Sequence, residues 1–109
     1  MRLPGGHQAR IEERKVREYL LSATHPVGRF KARVFASAGF VEATLDAFVS
    51  EVRRLAATGE VSASEDTKFG RKYTVAGTLT GPAGVVRVLT VWIEEPGQSN
   101  VRLVTVQPR

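Results

Sequence analysis

Up to Gly59 the apolar residues recur every three or four positions, and from Val61 onward they alternate with polar ones. That change of period puts helices first and strands afterwards. The clearest helix runs from Glu42 to Ala57, where Leu45, Phe48, Val49, Val52, Leu55 and Ala56 line one face; Thr58-Gly59 ends it. Such a stripe predicts the helix that packs on the sheet. A shorter helix is predicted from Glu12 to Leu21, with acids at its front and Val16, Tyr19 and Leu20 on one face. It ends at Ser22 to Pro26, because Pro26 disfavours helical angles at His25 and makes it a junction residue. Another helix is predicted from Val27 or Gly28 to Ala38, stopped by Gly39. Phe30, Val34 and Ala38 form one stripe on it, Lys31 and Phe35 another.

Four strands follow. Val61 to Ser64 reads as a short edge strand and Lys68-Phe69-Gly70 as a turn. Arg71 to Leu79 alternates, with Tyr73, Val75, Gly77 and Leu79 on one side. Gly81 to Gly84 is a turn by composition, Val85 to Ile93 is β-branched and strand-like, and Glu95 to Asn100 leads to a last strand at Val101 to Val106. Short connections make neighbouring strands antiparallel. The expectation is an α+β domain, with two to three N-terminal helices followed by an antiparallel sheet of about four strands. Residues 1–109 form one such domain, and residues 1–10, with Pro4, Gly5 and Gly6, are an irregular lead-in.

Charge adds a bias toward polyanions. Sixteen Lys and Arg against eleven Asp and Glu leave a net charge of +5 and a pI near 10.2. Ten cations and seven anions fall in residues 1–60, six and four in residues 61–109, so any basic patch is built by folding. The absence of cysteine excludes disulfides and thiolate metal sites. The N-terminal stretch lacks a signal-peptide core and no apolar run reaches the roughly 20 residues of a membrane span, so the default location is cytoplasmic, unless this is a fragment of an exported protein.

The densest chemistry lies between Ser22 and Phe40. His25 is the best acid or base candidate because imidazole titrates near neutrality. Gly28, Arg29, Lys31 and Arg33 cluster at the start of the second helix, where backbone N–H groups and cations suit an anion. Metal-independent RNA cleavage needs a base, an acid and cations at the phosphorane. Lys31 from the helix and Lys72 and Arg102 from the sheet complete that candidate set with His25. Tyr73 and Trp92 are candidates for stacking a base, and core packing is the other use of such aromatics. Equally, the imidazole of His25 can brace its turn, and the cations can solvate an outer face. Gly77 to Gly84 joins strand to strand with no following lysine, so it is not a nucleotide-phosphate loop, and two histidines with scattered carboxylates give no metal-ligand spacing. No metal or cofactor is expected.

The set Tyr19 to Ser22, His25-Pro26-Val27-Gly28, Lys31-Ala32, Phe35 and Gly39-Phe40 resembles a bacterial family of unknown function. Its later landmarks match too: Lys72-Tyr73, Gly77 to Pro82, Thr90-Val91-Trp92 and Arg102 to Thr105. The resemblance implies a small stand-alone protein or a terminal module of a larger bacterial protein, toxin-like ones included. The helix-then-sheet layout is similar to the barnase/EndoU/colicin/RelE ribonuclease superfamily. The resemblance implies a toxin-like or ribonuclease activity on RNA, and carries no established catalytic residue to transfer. The alternative is a non-enzymatic interaction or regulatory module that binds an acidic protein through the same basic surface or a sheet edge.

Overall fold

A computed structural model describes residues 1–21 and 29–109, with the side chains at 19 and 20 excepted. Helix α1 opens as an α-turn at Glu13–Lys15 and widens to a π-turn at Val16–Leu20, closed by the Leu21 N–H on the Val16 carbonyl at 2.9 Å. Helix α2 spans Arg29–Ser37, and α3 spans Leu45–Thr58 after a 3-10 turn at Glu42–Thr44. Strands β1 (Val61–Thr67), β2 (Gly70–Gly81), β3 (Gly84–Glu94) and β4 (Arg102–Pro108) form one antiparallel sheet in the order β1-β2-β3-β4. The α+β expectation therefore holds, with longer strands than the alternation suggested. Among the described residues no helix is long and apolar enough to cross a membrane.

The core lies between the helices and one face of the sheet. Phe48 on α3 meets Phe35 and Phe40 edge to face, at ring separations of 5.1 and 5.4 Å. Cross-strand pairs Tyr73–Trp92, Val75–Thr90, Gly77–Val88 and Leu79–Val86 form the sheet side of that core. Helix α3 lies so close over β2 that a β-carbon at Gly77 would come within 2.5 Å of Leu55 Cδ2. The one buried polar side chain among the described residues, Thr90, donates to the Val75 carbonyl at 2.9 Å and accepts the Trp92 indole N–H at 2.8 Å.

Of the two stripes that the sequence offers on α2, packing buries the one that carries Phe35 and leaves Phe30 and Val34 outside. Ala32 and Phe35 are buried, as are Ala38 and Phe40 just beyond the helix, while Phe30 and Val34 are 59% and 40% exposed. The expected stop is where the sequence put it. Gly39 takes φ +90°, and the N–H groups of Gly39 and Phe40 return to the carbonyls of Ala36 and Phe35. The expected start of α2 at Val27 or Gly28 lies outside the described residues, as does the predicted junction at His25.

The lead-in is held at both ends of the sheet. Arg2 bridges Glu60 and the Val61 N–H donates to the Met1 carbonyl, while Arg10 bridges Arg102 in parallel at the β4 edge. Leu3 and Ala9 enter the core on the way. The Arg10 N–H donates to the Val101 carbonyl and its own carbonyl accepts from Leu103, both at 2.9 Å, so this end of β4 is covered.

Candidate functional site

Two lysine ammonium groups meet β4 at adjacent residues. Between Val91 and Trp92 the β3–β4 register shifts, so that Thr105 pairs with Val91 and Leu103 with Trp92, with Val104 as the extra residue of a bulge. The Lys15 ammonium, from α1, donates to the Val104 carbonyl at 2.5 Å. One residue on, the Lys31 ammonium, from α2, donates to Thr105 Oγ1 at 3.0 Å. Two lysines from different helices thus converge on adjacent residues of one strand. Burial against the strand, and then repulsion from the Lys15 ammonium, hold the Lys31 pKa below its ordinary value.

The outer face of α2 continues this surface. Arg29 and Arg33 place their guanidinium carbons 5.0 and 5.8 Å from the centre of the Phe30 ring, a cation–π arrangement at an aromatic that is 59% exposed. Lys31, on the next position round the helix, turns away from this face toward Thr105. Between α1 and α2 a groove of about 290 Å³ is lined by Leu21, Ala32, Arg33, Ala36, Val41 and Glu42.

The other expected site residues divide. Lys72 stands on the solvent face of the sheet, opposite Ile93 on β3, with Arg102 opposite Ile93 from β4. Thr105, which accepts from Lys31, lies on that same face one row away, opposite Val91. Lys72 and Arg102 are two strand spacings apart, about 10 Å. Lys72 lines a depression of about 190 Å³ with Ala63, Ser64, Glu65, Thr74 and Val91. Arg102 is held otherwise: its Nε donates to Glu95 Oε1 at 3.1 Å, and Arg10 reaches the same oxygen at 3.3 Å. The paired guanidiniums keep the Glu95 carboxyl below its ordinary pKa, the Arg102 hydrogen bond foremost. The three groups tie the β3–β4 connection to the lead-in.

Tyr73 and Trp92 are not stacking residues. Trp92 is fully buried and Tyr73 is 4% exposed, because both point to the α3 side of the sheet, so no ring face is open to a base. The Tyr73 hydroxyl donates to Glu94 Oε1 at 3.3 Å, and burial, reinforced by that carboxylate, raises its pKa. His25 and Gly28 lie outside the described residues. His7 is exposed on the 3-10 turn Gly6–Gln8. Among the described residues no group of three or more His, Cys, Asp or Glu is placed to hold a metal ion.

Lys15, Thr105 and Phe30 join this surface without standing among the candidate site residues of the sequence. A lysine in α1 has no local pattern linking it to β4, but Phe30 did carry a signal. It sits among Arg29, Lys31 and Arg33, on the charged side of a helix whose Ala32 and Phe35 mark the buried one.

Neither a curated protein nor a solved structure matches this chain. A family described as a domain of unknown function, DUF6883, matches residues 2–109, from the strand-like Arg2 through the end of β4. The chain belongs to that family, and the match takes in the helices and the sheet alike.

Proposed function

We propose that this domain binds RNA and cleaves it without a metal ion, with a backbone phosphate seated at the β4 edge. The observation that supports this most is the convergence of Lys15 and Lys31 beside Thr105. Ammonium groups held on adjacent strand residues repel, and an oxyanion placed beside them offsets both the burial cost of Lys31 and that repulsion. Such a pair also suits the extra negative charge of a phosphorane, which grows at the transition state. The similarity of the helix-then-sheet layout to ribonucleases agrees with this reading, as does the net charge of +5.

The reaction is internal transesterification. The 2′-oxygen gives its proton to a base and closes on phosphorus. The bond from phosphorus to the 5′-oxygen breaks, and that oxygen takes a proton from an acid. The products are a 2′,3′-cyclic phosphate and a 5′-hydroxyl. His25, whose residue type suits proton transfer near neutral pH, is the base or acid in this proposal. Lys31 and Lys15 hold the phosphate, and Lys72 and Arg102, on the solvent face of the sheet, meet the strand as it leaves.

The test is incubation of labelled single-stranded RNA with the protein, with and without EDTA, beside His25→Ala and the double variant Lys15→Ala/Lys31→Ala. Cleavage to a cyclic phosphate should survive EDTA and fall about 10²- to 10⁴-fold in His25→Ala, the usual loss on removing a general acid or base. The double variant should lose binding as well as cleavage. RNA bound tightly yet left intact by the unmodified protein would replace the enzyme with a binding module. RNA not bound at all would remove the RNA reading and favour an acidic protein partner.

A further inference from the structure

Phe30 is the largest apolar side chain that α2 shows to solvent, and it is not needed for the core. Ala32 and Phe35 supply the buried side of the helix, whereas the Phe30 ring is 59% exposed. Leaving an aromatic ring in water forgoes burial that most phenylalanines obtain. Its neighbours make it more than a stray surface residue. Arg29 and Arg33, one position before and three after, hold guanidinium groups 5.0 and 5.8 Å from the ring centre. The two cations lie within cation–π range of a ring more than half of whose surface stays exposed, and Val34, 40% exposed, widens the apolar area.

From this arrangement we infer that Phe30 is the stacking platform for one unpaired nucleobase, which makes single-stranded RNA the substrate class. This inference rests on the RNA reading above and adds the selection of strand type to it. An aromatic face accepts any base by stacking, and cations beside it meet the phosphates that flank that base. Charge complementarity favours such an occupant: Arg29 and Arg33 stand beside the ring, and Lys31, next in the chain, reaches Thr105 near Lys15 at β4. A base inside a duplex has both faces covered by its neighbours and is denied to the ring. The phosphate contacts at Lys15 and Lys31 are indifferent to pairing. The two parts of the surface therefore have separable tasks, strand selection by Phe30 and charge by the lysines.

The experiment is fluorescence anisotropy with a labelled oligoribonucleotide, alone and annealed to its complement, in a His25→Ala background that leaves the strand uncut. The single strand should bind more tightly than the duplex. Phe30→Ala should weaken the single strand by about 5- to 150-fold, the range for loss of one base–aromatic stack, and leave the duplex nearly unchanged. Phe30→Trp should restore the preference, which a merely structural role for the ring would not require. Unchanged single-strand affinity in Phe30→Ala, with both strands weakened by Lys15→Ala/Lys31→Ala, would overturn the stacking role while sparing the phosphate site. Failure of the parent protein to bind either strand would overturn both. A Phe30→Ala variant with an altered circular-dichroism spectrum would make the ring a packing residue and end the inference.

Discussion

Thr90 shows how a residue that looks ordinary in a strand can carry a specific load. Its hydroxyl is spent between the Val75 carbonyl and the Trp92 indole N–H, both deep under α3. Thr90→Val keeps the shape and leaves the indole N–H without its acceptor, at a cost of about 1–3 kcal/mol. Chemical denaturation followed by Trp92 fluorescence should show that loss, and RNA binding should be unaffected. Trp92 was legible in the sequence as an aromatic on a strand, but not which face it took, because Thr90 and Trp92 share one face and either face of that strand reads as apolar. Lys31 is the opposite case: a lysine in a basic cluster that the structure distinguishes from Arg29 and Arg33 by turning it onto Thr105. Its depressed pKa has a definite sign. Between that value and the ordinary lysine value the unfolded chain binds more protons than the folded one, so the free domain gains stability as pH rises through this window. RNA binding should move the other way and weaken over the same interval, because the ammonium that meets the phosphate is lost. A pH series of melting temperatures and binding constants checks both directions.

At the scale of elements, α2 is where reading and structure part. The sequence supports two stripes with similar spacing, and only packing against Phe48 selects Phe35 over Phe30. Phe35→Ala should cost about 3–5 kcal/mol, as expected for emptying a filled aromatic site. Phe30→Ala should stay within about 0.5 kcal/mol, as expected for an exposed position. Urea midpoints for the two variants decide the orientation of the helix. By contrast the buried face of α3 was legible, since six apolar residues on one face admit one phase only, although the expected start at Glu42 is a 3-10 turn and the α-helix begins at Leu45. The sheet was legible as four strands in order, because turns at Lys68-Phe69 and Pro82-Ala83 leave no room for crossovers. The β4 bulge was not, since nothing in Arg102 to Thr105 marks an extra residue. That bulge matters, because it offers Val104 to Lys15 and Thr105 to Lys31 at adjacent positions.

For the whole molecule, the lead-in is the part whose role composition most understated. Gly5, Gly6 and Pro4 suggest an irregular start, yet the segment runs from Glu60 at the start of β1 to the edge of β4 and buries Leu3 and Ala9. Its Arg10 joins Arg102 on Glu95, so the carboxylate binds the end of β3 to both. Because that pairing lowers the Glu95 pKa, its stabilising effect is present above the ordinary carboxylate value and is lost as pH falls through the folded one. The same edge then passes to Lys15 and Lys31, so edge protection and the proposed phosphate site are one continuous construction. The measurement that tests this account most directly is an amide-resolved nuclear magnetic resonance titration with a short single-stranded RNA. The account predicts that the largest shifts fall on α2 around Arg29 to Val34, on Lys15, and on Val104 and Thr105. Shifts confined to β1 and the Lys72 depression, with α2 and β4 unmoved, would contradict it.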